Sequence, residues 1–488
     1  MSIRKVDHHY PHALYGVEAT RQIEQHAQSA LPPNTLMQRA GLAVAQLALA
    51  LAPHSRQIWV ACGPGNNGGD GLEAAWHLQQ WGRRPVVTWL GQPGLVPQDA
   101  AMAYQKAMAS GVSLVDTPPN NPDLCIDALL GLGSQARPPD KTMATWIDRM
   151  NAGTASVLAV DLPTGLHADT GVTSATRVKA HHTLSLLTLK PGLFMAEGRD
   201  VAGHVWLADL GRREHPIDSN QGTQPATAWL SGSPCHVTRS HASHKGSYGD
   251  VVVVGGAPGM TGAALLAATS ALTAGAGRVF VSLLDEGSLR LDSCQPELMF
   301  RALSSLDLSQ MTVVCGCGGG DEIQSHLVQL LTESNSTVFD ADALNAIASQ
   351  PNFRALLTKR ESRSARTVLT PHPLEAARLL GCTVAAVQND RLAGATTLAQ
   401  RFACVVVLKG SGTVIAAPDQ ISFINPTGNA KLATAGTGDV LAGMVAAALA
   451  SGKNAFQAAC EAVYHHGQLA DEWPMTYPLT AGSLSKSH

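Results

Sequence analysis

The sequence has few of the features that mark nucleic-acid-binding, secreted or membrane-spanning proteins. Its 488 residues carry a formal net charge of −3 and contain no long basic run, so we expect no nucleic-acid partner. Residues 1–16 have no apolar core of the kind that a signal peptide needs. No charge-free apolar segment approaches the roughly 18 residues that a membrane span requires. The sequence therefore predicts no membrane partner.

Cysteine patterning is also absent, although the chain contains 9 cysteines. None of them has CxxC spacing, and we interpret the one close pair, Cys315 and Cys317, as lining a loop rather than binding a metal. An odd, unpatterned set is typical of reduced thiols, which predicts a cytoplasmic protein. The length predicts two to four domains of about 100–200 residues each.

The most informative stretch is a glycine-bearing loop, Ala-Gly-Thr-Gly at residues 435–438, that leads into the apolar run Val440–Ala450. This alanine- and leucine-rich run predicts a buried helix, and the free N–H groups at its start favour an anion. Asp439 lies in the predicted first turn. We interpret it as the base that accepts a hydroxyl proton during phosphoryl transfer, and we expect the helix dipole to lower its pKa. An ordinary capped helix with an acidic first turn is the alternative.

Other polar segments follow predicted strands in the same half of the chain. The apolar strand Val405–Leu408 leads into a basic, glycine-bearing turn, Lys409–Thr413, which suits a nucleotide phosphate. Asp340 follows the strand Ser336–Phe339, and Thr370-Pro-His372 forms a rigid polar turn. Widely separated segments of this half therefore indicate contacts to one common ligand.

Together these segments resemble the ribokinase-like fold and, within it, the ADP- or ATP-dependent NAD(P)H-hydrate dehydratase family, over roughly residues 236–475. The resemblance implies conversion of the S hydrate of NADH or NADPH back to the reduced cofactor, with ADP assisted by Mg²⁺. It implies a nucleotide site at Lys409, Gly410, Ser411, Gly412, Thr413 and Gly438. It implies a hydrate site at Ala263, Gly318, His372 and the catalytic Asp439. The sequence departs from the family's usual motifs at Leu374, Cys317, Gly319 and Ala430-Lys431.

The N-terminal half contains a strand, a glycine-rich turn and a helix in succession. The strand Gln57–Cys62 runs into Gly63–Gly71, and we predict a helix over Leu72–Gln80 and a phosphate cradle at the turn. The turn matches G-x-G-x-x-G. The next predicted strand, Pro85–Leu90, lacks the acidic residue that an NAD-dehydrogenase fingerprint requires near its end, so that interpretation fails.

Polar residues also follow strands in this half, and three of them form a possible cation site. Asn67 lies in the glycine-rich turn, Asp127 follows Leu124–Ile126, and Thr164 follows Val157–Val160. The carboxyl ends of parallel strands meet at one edge, and one carboxylate with neutral oxygens suits a potassium-like ion better than a divalent one. For each residue alone, a helix cap or a turn is the alternative.

These motifs resemble the NAD(P)H-hydrate epimerase family over about residues 10–212. The resemblance implies interconversion of the R and S hydrates, with Asp161 as the catalytic acid/base and Lys190 as a weaker second candidate. It implies K⁺ at Asn67, Asp127 and Thr164. It implies a hydrate site at Asn66, Asn67, Gly68, Gly69, Asp70, Gly131, Leu132, Gly133, Ser134, Gln135, Ala136, Arg137 and Asp161.

The sequence thus predicts an α/β protein of two doubly wound domains, a Rossmann-like three-layer sandwich and a ribokinase-like α/β/α domain. We predict an epimerase domain at 1–212, a junction at 213–240 and a dehydratase domain at 241–488, in a homo-oligomer that acts on the hydrates of NADH and NADPH. The alternatives are a ribokinase-like vitamin kinase and a non-catalytic N-terminal binding module. The preferences between ADP and ATP and between the two hydrates stay open.

Overall fold

The computed structural model describes residues 1–134, 138–212, 224–235, 240–285 and 289–487. The chain divides into two compact units. Unit 1 contains residues 1–7 and 12–229, and unit 2 contains residues 8–11 and 230–488. The domain bounds given above remain predictions, and residues 213–223 and 236–239 of the predicted junction lie outside the described part.

Unit 1 is built from strands that alternate with helices. Its elements are β1 (Ile3–Lys5), β2 (His12–Leu14), α1 (Val17–Ser29), α2 (Thr35–Leu51), β3 (Gln57–Cys62), α3 (Asn66–Gln80), β4 (Arg84–Trp89), α4 (Gln98–Ala109), β5 (Ser113–Leu114), β6 (Leu124–Ala128), α5 (Lys141–Ala152), β7 (Ser156–Val160), β8 (His182–Leu186), α6 (Gly198–Val201) and β9 (His204–Ala208). Its sheet has the order β1-β9-β8-β7-β6-β3-β4-β5, and all neighbours pair in parallel except β1 with β9.

The strand β10 (Ala228–Leu230) spans the boundary between the residues of unit 1 and those of unit 2. The elements of unit 2 are β11 (Asp250–Gly255), α7 (Thr261–Thr273), β12 (Arg278–Leu283), β13 (Met299–Phe300), β14 (Thr312–Cys315), α8 (Gln324–Glu333), β15 (Ser336–Phe339), α9 (Ala341–Ser349), α10 (Pro351–Lys359), β16 (Arg366–Leu369), α11 (Pro373–Leu380), α12 (Val384–Asn389), α13 (Arg391–Phe402), β17 (Val405–Leu408), β18 (Val414–Ala417), β19 (Gln420–Ile424), α14 (Thr437–Ala450), α15 (Ala455–Asp471) and α16 (Ala481–Leu484). The strands run β13-β12-β11-β14-β15-β16-β17-β18-β19, parallel as far as β17 and antiparallel beyond it.

Both faces of the unit 1 sheet are buried, which explains its continuous apolar strands. Along β3, Ile58 and Val60 pack in the core that contains α2 and α3, whereas Trp59 and Ala61 pack in the core that contains α5. Successive side chains of a strand point to opposite faces, so a strand covered on both sides must be apolar throughout. The predicted α/β class with parallel sheets is confirmed.

Helix α3 begins earlier than the sequence predicted. It starts at Asn66 rather than Leu72, so most of the predicted glycine-rich turn is the first part of the helix. Its glycines serve close packing: a Cβ at Gly68 would collide with the Gly63 carbonyl, and one at Gly71 would lie 2.6 Å from the Ala128 Cβ. Glycine lowers helix propensity, and here close contact between α3 and its neighbours offsets that cost.

In unit 2, a close helix contact fixes the start of α14. Gly443 packs against the Ala267 carbonyl and the Ser270 hydroxyl, with no space for a Cβ. Ser270 Oγ also donates a hydrogen bond of 2.8 Å to the Val440 carbonyl. The first turns of α14 are therefore anchored to α7 within the core.

No helix among the described residues is both long enough and apolar enough to cross a membrane.

Candidate active sites of the two units

The start of α14 is held by contacts on both sides. Gly436 has φ +89°, in the left-handed region that glycine adopts most readily, and α14 begins at the next residue. Thr437 Oγ1 donates to the Leu432 carbonyl (2.8 Å), and Thr437 O lies 2.9 Å from Nε2 of the buried His466. These contacts keep the first N–H groups of the helix oriented toward the preceding loop, so the predicted anion site has a fixed geometry.

A buried ion pair lies beside this helix start. Lys409 Nζ donates a 2.7 Å hydrogen bond to Asp340 Oδ1, and Thr370 Oγ1 donates to the same oxygen at 2.8 Å. A Cβ at Gly438 would lie 3.3 Å from Lys409 Nζ, so Gly438 leaves room for the lysine. Although burial lowers it, the carboxylates of Asp340 and Glu375 raise the pKa of Lys409 overall. Lys409 and Gly438, predicted from distant segments, therefore meet at one point.

Asp439 lies in the first turn of α14, as predicted, but its pKa shifts in the opposite direction. Burial, reinforced by the charge of Asp340, raises the pKa of Asp439 to about 6. The predicted lowering by the helix dipole was therefore wrong, because desolvation outweighs it. The Cys317 sulfur and carboxylate oxygens of Asp340 and Asp439 all lie within 4.8 Å of one another, so Cys317 lies at the site.

The predicted hydrate residues Ala263, Gly318 and His372 lie in loops and at helix starts of unit 2. Ala263 lies in the first turn of α7, and a Cβ at Gly318 would lie 2.9 Å from its Cβ, so these two residues are neighbours. His372 caps α11: its Nδ1 accepts from the Leu374 and Glu375 N–H groups at 3.1 and 3.3 Å. Burial raises the pKa of Glu375 to about 7. His372 thus caps α11 in addition to its predicted role as a hydrate contact.

The nucleotide turn after β17 has an unusual backbone and a buried support. Gly410 and Gly412 have φ of +134° and +64°, and Thr413 Oγ1 donates to the Gly410 carbonyl at 3.0 Å. Ser411 lies between the two glycines. Arg391, which the sequence did not indicate, donates to carbonyls beneath this turn.

Unit 1 contains a cavity of about 860 Å³ beside the carboxyl ends of β3, β6, β7 and β8. Among the predicted site residues, Asn66, Asn67, Asp70, Gly131, Leu132, Gly133 and Asp161 line it, together with Lys190. Gly68 and Gly69 are buried and instead pack against the Gly63 carbonyl and the Met37 side chain. The backbone of Ser134 belongs to a 3₁₀ turn, and Gln135, Ala136 and Arg137 lie outside the described residues.

Asp161 and Lys190 form a buried ion pair in the wall of this cavity. Lys190 is only 1% exposed, and its Nζ also donates to the Leu186 carbonyl at 2.9 Å. Asp161 has φ +67°, a backbone conformation that is unusual outside glycine, and its Oδ1 accepts from the Leu186 N–H at 3.2 Å. Backbone strain of this kind is concentrated at functional sites.

Two more carboxyl groups lie close to this pair. Burial raises the pKa of Asp70 well above its ordinary value, and the charges of Asp161 and Glu24 raise it further. Burial likewise raises the pKa of Glu24, on α1. The sequence did not indicate Glu24 as a site residue, because its distance to the site depends on how α1 packs.

The structure brings Asp127 and Thr164 into direct contact. Thr164 donates to Asp127 through its backbone N–H (2.8 Å) and its Oγ1 (2.7 Å). Burial raises the pKa of Asp127 to about 6 despite these hydrogen bonds. Asn67 lies against Gly131, and its buried Nδ2 has no hydrogen-bond partner within the described part of the chain. The orphaned Nδ2 of Asn67 therefore fits a ligand that accepts a hydrogen bond from nitrogen.

The chain is similar to known proteins over both units. Residues 251–487 match the family model described as NAD(P)H-hydrate dehydratase, and residues 33–192 match the one described as YjeF-related protein N-terminus. The bifunctional NAD(P)H-hydrate repair enzyme Nnr of Escherichia coli (strain K12) is 37% identical, with 94% of this chain and 90% of the relative covered. The chain belongs to this family. A Moorella thermoacetica member is 36% identical and covers 91% of this chain and 88% of its own length.

Solved structures similar to part of this chain include the ADP/ATP-dependent NAD(P)H-hydrate dehydratase of Bacillus subtilis, co-crystallized with ATP/Mg²⁺. It is 31% identical, covers 51% of this chain and 90% of its own, and has a TM-score of 0.43. The family thus joins two activities in one chain, and each unit of this chain matches a different one of its two domain models.

Proposed function

We propose that this chain repairs hydrated NADH and NADPH in two steps, one in each unit. Unit 1 interconverts the R and S hydrates, and unit 2 converts the S hydrate back to the reduced cofactor with ADP. The single observation that carries the proposal is the position of Asp439. It is a half-buried carboxyl group with a raised pKa, at a helix N-terminus and beside the Asp340–Lys409 pair.

In unit 2 the chemistry requires a base, an anion site and a cation. Asp439 removes the proton of the ring hydroxyl, whose oxygen bonds to the β-phosphorus of ADP while AMP leaves with the electron pair of the broken bond. N–H groups at the start of α14 stabilise the developing negative charge, and Lys409 offsets that of the phosphates. ADP is a substrate in this step.

Elimination then follows, because phosphate is a far better leaving group than hydroxide. The lone pair of the ring nitrogen expels phosphate, and loss of a proton from the adjacent ring carbon restores the dihydronicotinamide ring. Ala263, Gly318 and His372 are the proposed hydrate contacts. Lys409–Thr413 and Gly438 are the proposed nucleotide contacts.

In the described part of unit 2, two carboxylates that could take part in binding Mg²⁺, those of Asp340 and Asp439, lie close together. The one cluster of possible ligands there includes the Cys317 sulfur, which Mg²⁺ does not favour. Mg²⁺ typically binds through one or two carboxylates and substrate phosphates, so we expect it to enter with ADP, whose charge it partly neutralises.

In unit 1, the hydroxyl-bearing carbon is also bonded to the ring nitrogen. Asp161 accepts the hydroxyl proton, the carbon–nitrogen bond opens to a carbonyl, and closure on the other face gives the opposite epimer. Lys190, held beside Asp161, donates a proton to the nitrogen on opening and recovers it on closure. Asn66–Asp70 and Gly131–Arg137 are the proposed hydrate contacts.

The amide oxygen of Asn67, which lies against Gly131, and the oxygens of Asp127 and Thr164 form a set of one carboxylate and neutral oxygens that fits K⁺. These residues would hold the ion, which supplies positive charge to offset the phosphates of the substrate. Domain bounds of 1–212 and 241–488, a homo-oligomer and a cytoplasmic location remain part of the proposal.

The test is the absorbance of reduced nicotinamide, followed while purified protein acts on hydrated NADH with ADP and with ATP in turn. We expect recovery of NADH with ADP. No recovery with either nucleotide, together with phosphorylation of a hydroxymethylpyrimidine or a thiazole alcohol, would instead support the vitamin-kinase alternative.

A further inference from the structure

Arg391 lies directly beneath the proposed nucleotide turn. It is the first residue of α13 and only 1% exposed. Its Nη2 donates to the carbonyls of Leu408 and Lys409, both at 3.1 Å, and its Nη1 donates to Gln388 Oε1 at 2.6 Å. A Cβ at Gly410 would lie 2.9 Å from Nη2, so the guanidinium fills the inner side of the turn.

The charge of Arg391 is placed where it is costly. Burial lowers the pKa of Arg391 to about 10, which leaves it a cation at neutral pH. It lies at the positive end of a helix dipole, and within the described ranges no carboxylate forms an ion pair with it. A buried cation that lacks an anionic partner is strongly unfavourable, and an anion bound nearby relieves the cost.

The site above Arg391 is the one proposed for a polyphosphate. Lys409, whose carbonyl accepts from Arg391, has its ammonium against Asp340. The carboxylate of Asp340 compensates part of the charge of Lys409, so the buried charge of Arg391 adds to the positive charge that Lys409 offers the ligand. Gly410 lies between the guanidinium and the outer side of the turn, so Arg391 acts through the turn rather than by contact.

We propose that Arg391 is a positioning residue for the nucleotide: it fixes the Lys409–Thr413 turn and supplies buried positive charge that favours polyphosphate binding. This rests on the proposed nucleotide use of unit 2.

A second buried arginine in unit 2 provides a matched control. Arg360 is also 1% exposed, and burial lowers its pKa to about 10. It donates to the carbonyls of Leu331 (3.0 Å) and Ser334 (2.9 Å) and to the hydroxyls of Thr337 and Thr367. These partners lie at and before the amino ends of β15 and β16, the opposite end of the strands from the proposed site. Arg360 therefore stabilises the fold without a link to the ligand.

The experiment compares Arg391→Lys, Arg391→Met and Arg360→Lys with the parent chain. Binding of ADP, ATP, AMP and adenosine is measured by calorimetry, and KM for ADP and for the S hydrate is measured separately. We expect Arg391→Lys to weaken ADP by at least about tenfold and Arg391→Met to weaken it further, because bonds to charged groups are strong. Adenosine binding and KM for the hydrate should change little. Arg360→Lys should lower the melting temperature and leave ADP affinity unchanged.

Each remaining outcome is decisive. An Arg391→Lys protein that is folded and binds ADP as the parent does would overturn the inference, as would equal weakening by Arg360→Lys. If neither Arg391 variant folds, Gln388→Ala decides, because it removes the partner of Arg391 Nη1 at a residue outside the proposed nucleotide contacts. Parent-like ADP affinity in that variant contradicts the inference, and a loss of about tenfold with adenosine binding unchanged supports it. A parent chain that binds neither ADP nor ATP would overturn both this inference and the proposed function, whereas failure of the inference alone leaves NADH recovery intact.

Discussion

Each unit has an aspartate–lysine pair beside the carboxyl ends of its parallel strands. The proposed base belongs to this pair in unit 1 but not in unit 2. In unit 1 the proposed base, Asp161, is itself the partner of Lys190. In unit 2 the lysine, Lys409, is bound by Asp340, and Asp439 lies outside the pair. Among the described residues no cationic side chain forms an ion pair with Asp439.

The difference shows that the charge environment of each proposed base depends on whether that base or another carboxylate pairs with the nearby lysine. The charge of Asp161 is compensated directly by a buried ammonium. Asp439 is desolvated without such compensation, and the charge of Asp340 raises its pKa further. Asp439 is therefore a stronger base than an exposed aspartate and is still ionised at neutral pH.

The largest expected effect is loss of the unpaired base. Asp439→Asn should lower the rate of dehydration by about 100- to 10,000-fold, because the hydroxyl proton loses its acceptor. ADP affinity and the melting temperature should be kept. Asp342→Asn is the matched control: Asp342 accepts from the Gly320 N–H at 2.9 Å, which asparagine can also do, so most activity should remain. Substantial dehydration by Asp439→Asn would remove this residue from the mechanism.

Breaking the pair in unit 1 should affect stability as well as activity. Lys190→Met leaves the Asp161 charge buried without a partner and should cost about 3 kcal/mol of unfolding free energy, measured by denaturant titration. Epimerisation should also fall. Adding Asp161→Asn to the same chain should recover the stability but not the epimerisation. If the single variant is as stable as the parent, the pair is not buried as described.

A smaller effect is expected at the proposed cation site. Asp127→Ala should slow epimerisation of the R hydrate by roughly 10- to 100-fold, as is typical for residues that orient a metal site. ADP-dependent conversion of the S hydrate should be unaffected. Chromatography of the two epimers, with and without K⁺, measures both steps. Equal loss of the two activities would indicate general damage to the fold, and no loss of either would exclude the cation site.

The smallest expected effect is the pH dependence of dehydration in unit 2. Because the pKa of Asp439 in the free protein is raised to about 6, kcat/KM for dehydration should fall about tenfold per pH unit below pH 6 and be flat above pH 7. The raised pKa means that the folded state binds this proton more tightly than the unfolded state. The parent should thus gain stability relative to Asp439→Asn as pH falls from about 6 to 4. A flat kcat/KM profile between pH 5 and 7 contradicts the assignment.

Much of the fold follows from the sequence because periodicity is a local property. The bounds of β3 and β15 agree with those predicted, and so does the position of Asp439 in the first turn of α14. The start of α3 was wrong, because glycines that usually indicate a turn are here required by close packing.

The contacts between distant residues could not be predicted in the same way. The pairing of Lys409 with Asp340, the support from Arg391 and the approach of Glu24 to Asp70 depend on tertiary packing. The direction of the Asp439 pKa shift also depends on burial, which the motif does not specify. Local pattern thus locates the candidate bases, whereas only the fold shows their partners.

The central claim is that the two units perform separate steps with separate carboxylates. The most direct measurement follows both epimers by chromatography after ADP and a mixture of R and S hydrates are added. Three samples are compared: the Asp161→Asn protein, the Asp439→Asn protein, and a mixture of these two proteins. We predict that the Asp161→Asn protein consumes only the S hydrate, that the Asp439→Asn protein equilibrates the epimers without forming NADH, and that the mixture of the two proteins consumes both epimers. Consumption of both epimers by Asp161→Asn alone, or failure of the combined variants to consume the R hydrate, would contradict the account.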